Sequence, residues 1–388
     1  QVESLPFGPL GKSVEPFLLF RGPTPFLDQL IEEIRLGSVF GQSQDIQGAA
    51  YFIESRHPLQ FRVFRGQALP GKASEPADNP TTPEKVELGR MLYFDPRFSQ
   101  TGTVSCNTCH NLMLGGEDNR AFSMGVHGKT GGRSAPTVWN SAFSSTQFWD
   151  GRAASLEDQA KGPVVNPVEM GMSDLEKAMN RVRAIPGYEP YFVRAFGTDN
   201  PMTVDNAAKA VAAFERTMIT PDSPYDRYVK GEKAALDEQQ QRGMKAFNEV
   251  GCTSCHSGPA FNGPAMAPGK GFFMKFPTFE DSEYVKKYDF LKDQGRLEAT
   301  GKEADKSMFK VPTLRNITLT APYFHNGSVA TLDEAVRIMA KVQLNKDLSD
   351  DQVTDLVAFL NGLTGEFPEQ ILPRLPATPG WSISSREQ

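Results

Sequence analysis

The 388-residue chain has little cysteine, little histidine and no long apolar run. Four cysteines and five histidines are spread over its whole length. That scarcity excludes a disulfide-stapled scaffold, which concentrates many cysteines in a short chain. No stretch of about 18 consecutive apolar residues exists, so no segment reads as a transmembrane helix. The run Phe17-Leu18-Leu19-Phe20 is far too short. A basic excess is also absent. Lys plus Arg is 41 and Asp plus Glu is 47, a net charge of −6, which argues against a nucleic-acid partner. The apolar fraction of 39% is low for a globular chain. A bulky apolar cofactor would make up the shortfall. The initiator Met is missing too. A chain starting at Gln1 is expected of a mature protein whose signal peptide has been removed, or of a chain trimmed at its start.

The few cysteines are arranged tellingly. They fall as Cys106-Asn107-Thr108-Cys109-His110 and Cys252-Thr253-Ser254-Cys255-His256. Both match C-x-x-C-H, the pattern of covalent c-type haem attachment. Two thiols one turn apart reach the two vinyl groups of one porphyrin, and the following His supplies the proximal imidazole. A zinc site needs two pairs close enough to complete four ligands. Here the motifs start 252 − 106 = 146 residues apart, each with its own His. A thioredoxin-like motif would explain one pair, not two. Two haem c groups are therefore expected. Their attachment points to an oxidising compartment, the periplasm, since bacteria assemble c-type haems outside the cytoplasm.

The halves resemble each other beyond these motifs. Glu87-Leu88-Gly89-Arg90-Met91-Leu92-Tyr93-Phe94 precedes the first, and Gln241-Arg242-Gly243-Met244-Lys245-Ala246-Phe247 precedes the second. Downstream, Pro136-Thr137-Val138-Trp139-Asn140 matches Pro312-Thr313-Leu314-Arg315-Asn316, and Trp149-Asp150-Gly151 matches His325-Asn326-Gly327. Ser155-Leu156-Glu157-Asp158 matches Thr331-Leu332-Asp333-Glu334. All three share an offset of 312 − 136 = 176 residues, so the second copy carries 30 extra residues between its haem motif and its Pro-Thr motif.

The repeat is most informative where it fails. A Met as second axial ligand raises the potential of a c-type haem. Met339 lies on an expected helix from Leu332 to Lys341, and its counterpart 176 residues earlier is Pro163, which cannot ligate iron. The second haem reads as closed by His256 and Met339. The first reads as open or removably capped. A Met at helical spacing is also what a core uses. Met170 and Met172 stand near Pro163 and could be strays from the same role. His127, in the Gly-rich stretch 125–132, is the better candidate sixth ligand of the first haem, or else a surface loop histidine. Splitting peroxide at an open haem needs a nearby proton shuttle. Trp149, Asp150, Arg152, Glu157, Gln159 and Glu169 lie close in sequence. Gln159 is set apart because the second copy has Ala335 there. Trp149 faces His325 in the repeat, which fits an electron path between haems as well as core packing.

The expected class is mainly α, with two tandem cytochrome-c-like haem domains and an extra N-terminal segment. The division is 1–75 as an extension of unassigned role, 76–222 as the first haem domain and 223–388 as the second, its tail returning to the first. Helices are expected at 25–36, from Thr81 with a capping box and Pro in the first turn, and at 174–183, 204–217, 237–249 and 350–363. The stretch 59–64 alternates like a strand, and 70–83 is a linker by composition. His57 reads as a surface histidine.

From about Pro83 to about Leu375 the chain resembles the bacterial dihaem cytochrome c peroxidase family. LGRMLYFDPRFS, SCNTCHN, APTVWN, QFWDGRA, NPVEM, TPDSPYDRYVKG, GCTSCH, VPTLRNITLTAPYFHNG and AVRIM carry the resemblance. The related methylamine dehydrogenase maturation enzyme has a Tyr in place of the axial Met, so Met339 favours the peroxidase. The resemblance implies that Cys106, Cys109 and His110 hold a low-potential peroxidatic haem, with His127 as its removable ligand. Cys252, Cys255, His256 and Met339 would hold a high-potential haem. Glu169 and Gln159 would be the acid/base pair, and Trp149 would lie between the haems. A calcium ion would bind the carbonyls of Thr320 and Pro322, with Ser134 where the family has Asn; hard oxygen donors suit that ion. The implied activity reduces hydrogen peroxide to water with electrons from a small periplasmic cytochrome c or copper protein. Electron-donor reduction of the second haem would shift the His127 loop and open the first. A homodimer is expected. The alternatives are a protein-modifying dihaem oxidase and a non-catalytic dihaem electron carrier.

Overall fold

Helix signals in the sequence are local and strong, and the chain obeys most of them. The computed structural model describes residues 66–378 and Gly380. The helix expected at 25–36, the strand expected at 59–64 and His57 lie outside the described residues. Thr82 caps α1, Pro83–Phe94, accepting a hydrogen bond from the Lys85 N–H, with Pro83 at the first helical position. The cap is thus one residue later than expected. Lys85 then occupies the third helical position, so Glu84 closes no capping box. Asp174 caps α2, Leu175–Arg183. The helix α3, Glu189–Phe196, was not anticipated; it starts on a Glu-Pro first turn. Thr203 caps α4, Val204–Glu215, which stops two residues short of the expected end.

The second half repeats this logic. Asp237 and Gln240 form a capping box on α5, Glu238–Val250. Gly251 ends it in the left-handed region (φ 105°) and turns the chain directly into Cys252. Thr331 caps α6, Leu332–Leu344, which runs three residues past the expected Lys341. Ser349 and Gln352 box the start of α7, Asp350–Asn361. Strand is confined, among the described residues, to β1 (Phe273–Lys275) and β2 (Met308–Lys310), paired antiparallel with Phe273 opposite Lys310. Both fall between the haem motif and the Pro-Thr motif of the second copy, the stretch that is 30 residues longer there. The protein is mainly α.

The same helix crossing occurs twice. The helix α1 packs on α4, and α5 packs on α7. Gly89 and Gly243 sit at these crossings. A Cβ at Gly89 would come within 1.9 Å of the Ala210 carbonyl oxygen, and one at Gly243 within 1.8 Å of that of Asp355. Only glycine permits such close backbone approach. The join between the halves is reciprocal. The Ser134 N–H donates to the His325 carbonyl (2.7 Å), and the Lys310 N–H donates to the Trp149 carbonyl (2.8 Å); these are equivalent positions of the repeat. Asn140 and Asn316, also equivalent, both donate to the Thr220 hydroxyl at 2.8 and 2.9 Å.

The segment 70–83 is irregular, as its composition suggests, but it is docked rather than free. Asn79 is buried and donates to Glu157 and to the Lys209 carbonyl, while the Lys85 ammonium donates to Asn79. Upstream, the Leu69 N–H donates to Asp226 at 2.8 Å. The C-terminal segment runs along the first half, where Arg97 donates to the Pro376 carbonyl and to the Thr378 hydroxyl.

Candidate haem sites and the distal cavity

Each C-x-x-C-H motif opens onto a cavity. In the first, Ser105 and Thr108 cap a single helical turn, Cys106–Cys109, which sets both thiols on one side. Cys106, Cys109 and His110 line a cavity of about 960 Å³. Cys252, Cys255, His256 and Met339 line another of about 270 Å³. No disulfide joins any of the four cysteines, and burial pushes the Cys106 and Cys252 thiols up to about 12. Each histidine is oriented by a carbonyl. His110 Nδ1 is 2.9 Å from the Pro136 oxygen, and His256 Nδ1 is 3.0 Å from the Phe261 oxygen. A carbonyl can only accept, so both Nδ1 atoms carry the proton and both Nε2 atoms are left as neutral donors. Burial lowers both pKa values, which keeps the rings neutral. A neutral imidazole fixed through its other nitrogen is the form that binds iron. The donor sets fit a covalently attached haem in each cavity.

The cavities differ at the position the repeat singled out. In the second half α6 is unbroken and Met339 lines the cavity. In the first half the equivalent helix breaks. Ser155 caps the turn Leu156–Gln159, and the chain restarts at Gly162–Val165 with Pro163 inside that piece. Proline lacks the N–H that would continue the helix and clashes with the carbonyl four residues back. Pro163, Gln159 and Glu169 all line the first cavity, as does the buried Met170. Met172 is buried and is not among the residues lining it. The Gln159 amide has no hydrogen-bond partner among the described residues. Glu169 accepts from the Asn166 amide at 2.8 Å. Burial raises its pKa, with the Arg152 charge and the Asn166 hydrogen bond opposing.

Three expected candidates sit elsewhere. His127 is exposed, in the left-handed region (φ 58°), with Nε2 3.2 Å from Gln100 Oε1. It does not line the first cavity. Its loop is nevertheless tied to the cavity wall, because the Val126 N–H donates to the Glu169 carbonyl at 2.8 Å. Glu157 is turned towards Asn79 and Arg216. Asp150 is buried between Arg133 and Arg152. Arg133, just past the His127 loop, also pairs with Asp293 and Glu298 of the longer stretch in the second copy.

Trp149 and His325 face both cavities. The Trp149 indole N–H donates to the Ser134 carbonyl at 2.9 Å. Burial holds His325 down to about 4, so it is neutral. Ser134, Thr320 and Pro322 line the second cavity together, and the carbonyls of Thr320 and Pro322 accept no hydrogen bond among the described residues. Sequence reasoning missed Glu215 and Lys310. Glu215 is fully buried on the first cavity, and burial raises it to about 8. Lys310 lines the second. The repeat offset could have flagged the lysine, because its counterpart is Ser134.

A mainly α chain with two cavities, each walled by its own C-x-x-C-H motif, has the make-up of a dihaem c-type protein. Comparison gives the family. Residues 83–234 match the model of the di-haem cytochrome c peroxidases. The chain is 44% identical over 300 residues to the cytochrome c551 peroxidase of Nitrosomonas europaea, spanning 77% of this chain and 86% of the relative. It is 42% identical over 315 residues to that of Pseudomonas aeruginosa, spanning 80% and 87%. It is 34% identical over 329 residues to the methylamine utilization protein MauG of Methylorubrum extorquens, spanning 82% and 88%. Among solved structures, a MauG-like protein associated with microbial copper homeostasis superposes with a TM-score of 0.67 at 31% identity, covering 79% of this chain and 96% of that one. The chain belongs to the di-haem cytochrome c peroxidase family, and the family implies two haem c groups.

Proposed function

We propose that the protein reduces hydrogen peroxide to two waters, taking two electrons from a small periplasmic redox protein and two protons from solvent. The carrying observation is the asymmetry of the cavities: Met339 on the second, and Pro163 with Gln159 and Glu169 on the first. Bound haem iron supplies the electrons and the site at which the oxygen–oxygen bond is cleaved. The chain supplies the proton handling. Glu169 takes the proton from the near oxygen of peroxide and returns it to the leaving oxygen, as an acid/base with a raised pKa can do. The Gln159 amide, free of other partners among the described residues, orients the substrate beside it. Trp149 carries electrons between the haems.

The division into a first haem domain at 76–222 and a second at 223–388 belongs to this reading. His127 acts as a removable ligand, and its loop is joined to the wall of the first cavity by the Val126 N–H on the Glu169 carbonyl. Thr320 and Pro322 offer calcium carbonyls that accept no hydrogen bond among the described residues, and Ser134 stands where the family has Asn. Homodimerisation and a periplasmic site of action complete the proposal. Met339 argues against the maturation-type oxidase, which has Tyr there. Peroxide-dependent oxidation of a reduced small cytochrome c tests the activity; a holo-protein that leaves the cytochrome reduced contradicts it.

A further inference from the structure

A cation without a partner faces the second cavity. Lys310 ends β2, held by its backbone N–H on the Trp149 carbonyl. Its half-buried side chain lines the cavity that Cys252, His256 and Met339 share. Among the described residues its ammonium has no hydrogen bond and no ion pair. Desolvation alone acts on it and pushes its pKa down to about 8, with no charged neighbour offsetting that. No Asp or Glu lines this cavity. The other cation there, Arg315, is neutralised by Asp226 at 2.7 Å. A desolvated ammonium without a counter-ion is unfavourable. The counter-ion must therefore arrive with the group that fills the cavity, and the charged atoms a haem brings are its propionate carboxylates.

We propose that Lys310 Nζ is the counter-ion of a haem propionate in the second cavity, and that this pairing sustains the higher reduction potential of that haem. The proposal rests on the two-haem reading above. Neutralising a propionate removes a negative charge that would favour ferric iron. The repeat counterpart of Lys310 is the uncharged Ser134, so this ammonium separates the two potentials in addition to the axial ligand.

The test uses the holo-protein and its K310M and K310R variants. Haem count per chain is read first, from the alkaline pyridine spectrum, and potentials are then read by spectroelectrochemical titration. In K310M the equilibrium constant for reducing the second haem should fall about tenfold, equivalent to about 59 mV, while the first haem's potential stays in place. K310R should restore it. An unchanged second-haem potential in K310M with both haems present overturns the proposal. If K310M does not fold, K310Q is examined by resonance Raman: the propionate bending mode of the second haem should shift, and a mode identical to wild type overturns the pairing. A wild-type chain with fewer than two haems overturns the underlying reading, and this pairing with it.

Discussion

Trp149 and His325 occupy equivalent positions of the internal repeat and meet edge to face, with ring centroids 6.3 Å apart. Both face both cavities, so the wall between the cavities is built from the same position of each half. The reciprocal backbone bonds of Ser134 and Lys310 hold that wall in register. Trp149→Ala should slow electron passage from the second haem to the first while leaving two haems attached. Stopped-flow oxidation of the half-reduced protein by peroxide measures this, and an unaltered rate removes Trp149 from the path. Trp149→Phe keeps a ring and loses the bond to the Ser134 carbonyl, at a cost of about 1 kcal/mol in unfolding free energy.

Glu169→Gln keeps the size of the side chain and an oxygen for the Asn166 amide, but it cannot carry the proton. Peroxide turnover should fall by about 100-fold or more, with haem content and both potentials unchanged. Steady-state oxidation of reduced cytochrome c reads the loss. Turnover at the wild-type rate would remove Glu169 from the chemistry.

Gly89→Ala and Gly243→Ala place a methyl group against the Ala210 and Asp355 carbonyls. Each should destabilise the holo-protein by about 1–3 kcal/mol, the usual cost of overpacking, seen as a lower urea midpoint. A midpoint unchanged in both variants would mean that the helix crossings are looser than the structure has them.

Glu215 gives stability a pH dependence whose sign can be worked out. Burial raises its folded pKa to about 8, against an ordinary value of 4.5. Between those values the folded state binds more protons than the unfolded one, so stability falls as pH rises through this window. The contribution is fully present below pH 4.5 and lost as pH passes about 8. Glu215→Gln should flatten the decline between about pH 5 and 8. Denaturation midpoints measured across that range check it, and parallel curves for wild type and variant contradict it.

Much of this was legible because the signals are local. The helix starts expected at 174, 204, 237 and 350 each fall within a residue of an observed start, and the offset of 176 aligned Pro163 with Met339 from the sequence alone. The docking of 70–83 was not legible, since its polar composition is equally that of a free linker; burial of Asn79 against Glu157 depends on residues far along the chain. His127 was legible as a loop histidine, but not the direction it faces, which the φ of one residue decides. Lys310 and Glu215 escaped notice because a lysine in a strand and a glutamate on a helix read as solvated surface until the cavities around them are known.

The central claim is that the first haem alone is the peroxidatic centre and opens when the second is reduced. Its most direct test compares the fully oxidised and the half-reduced holo-protein. Peroxide-dependent oxidation of a reduced small cytochrome c is followed while spectra of both haems are recorded. The account predicts fast turnover only after half-reduction, together with a new high-spin haem that His127→Gly produces without reduction. No turnover in either state, with two low-spin haems throughout, would contradict it and make the protein an electron carrier.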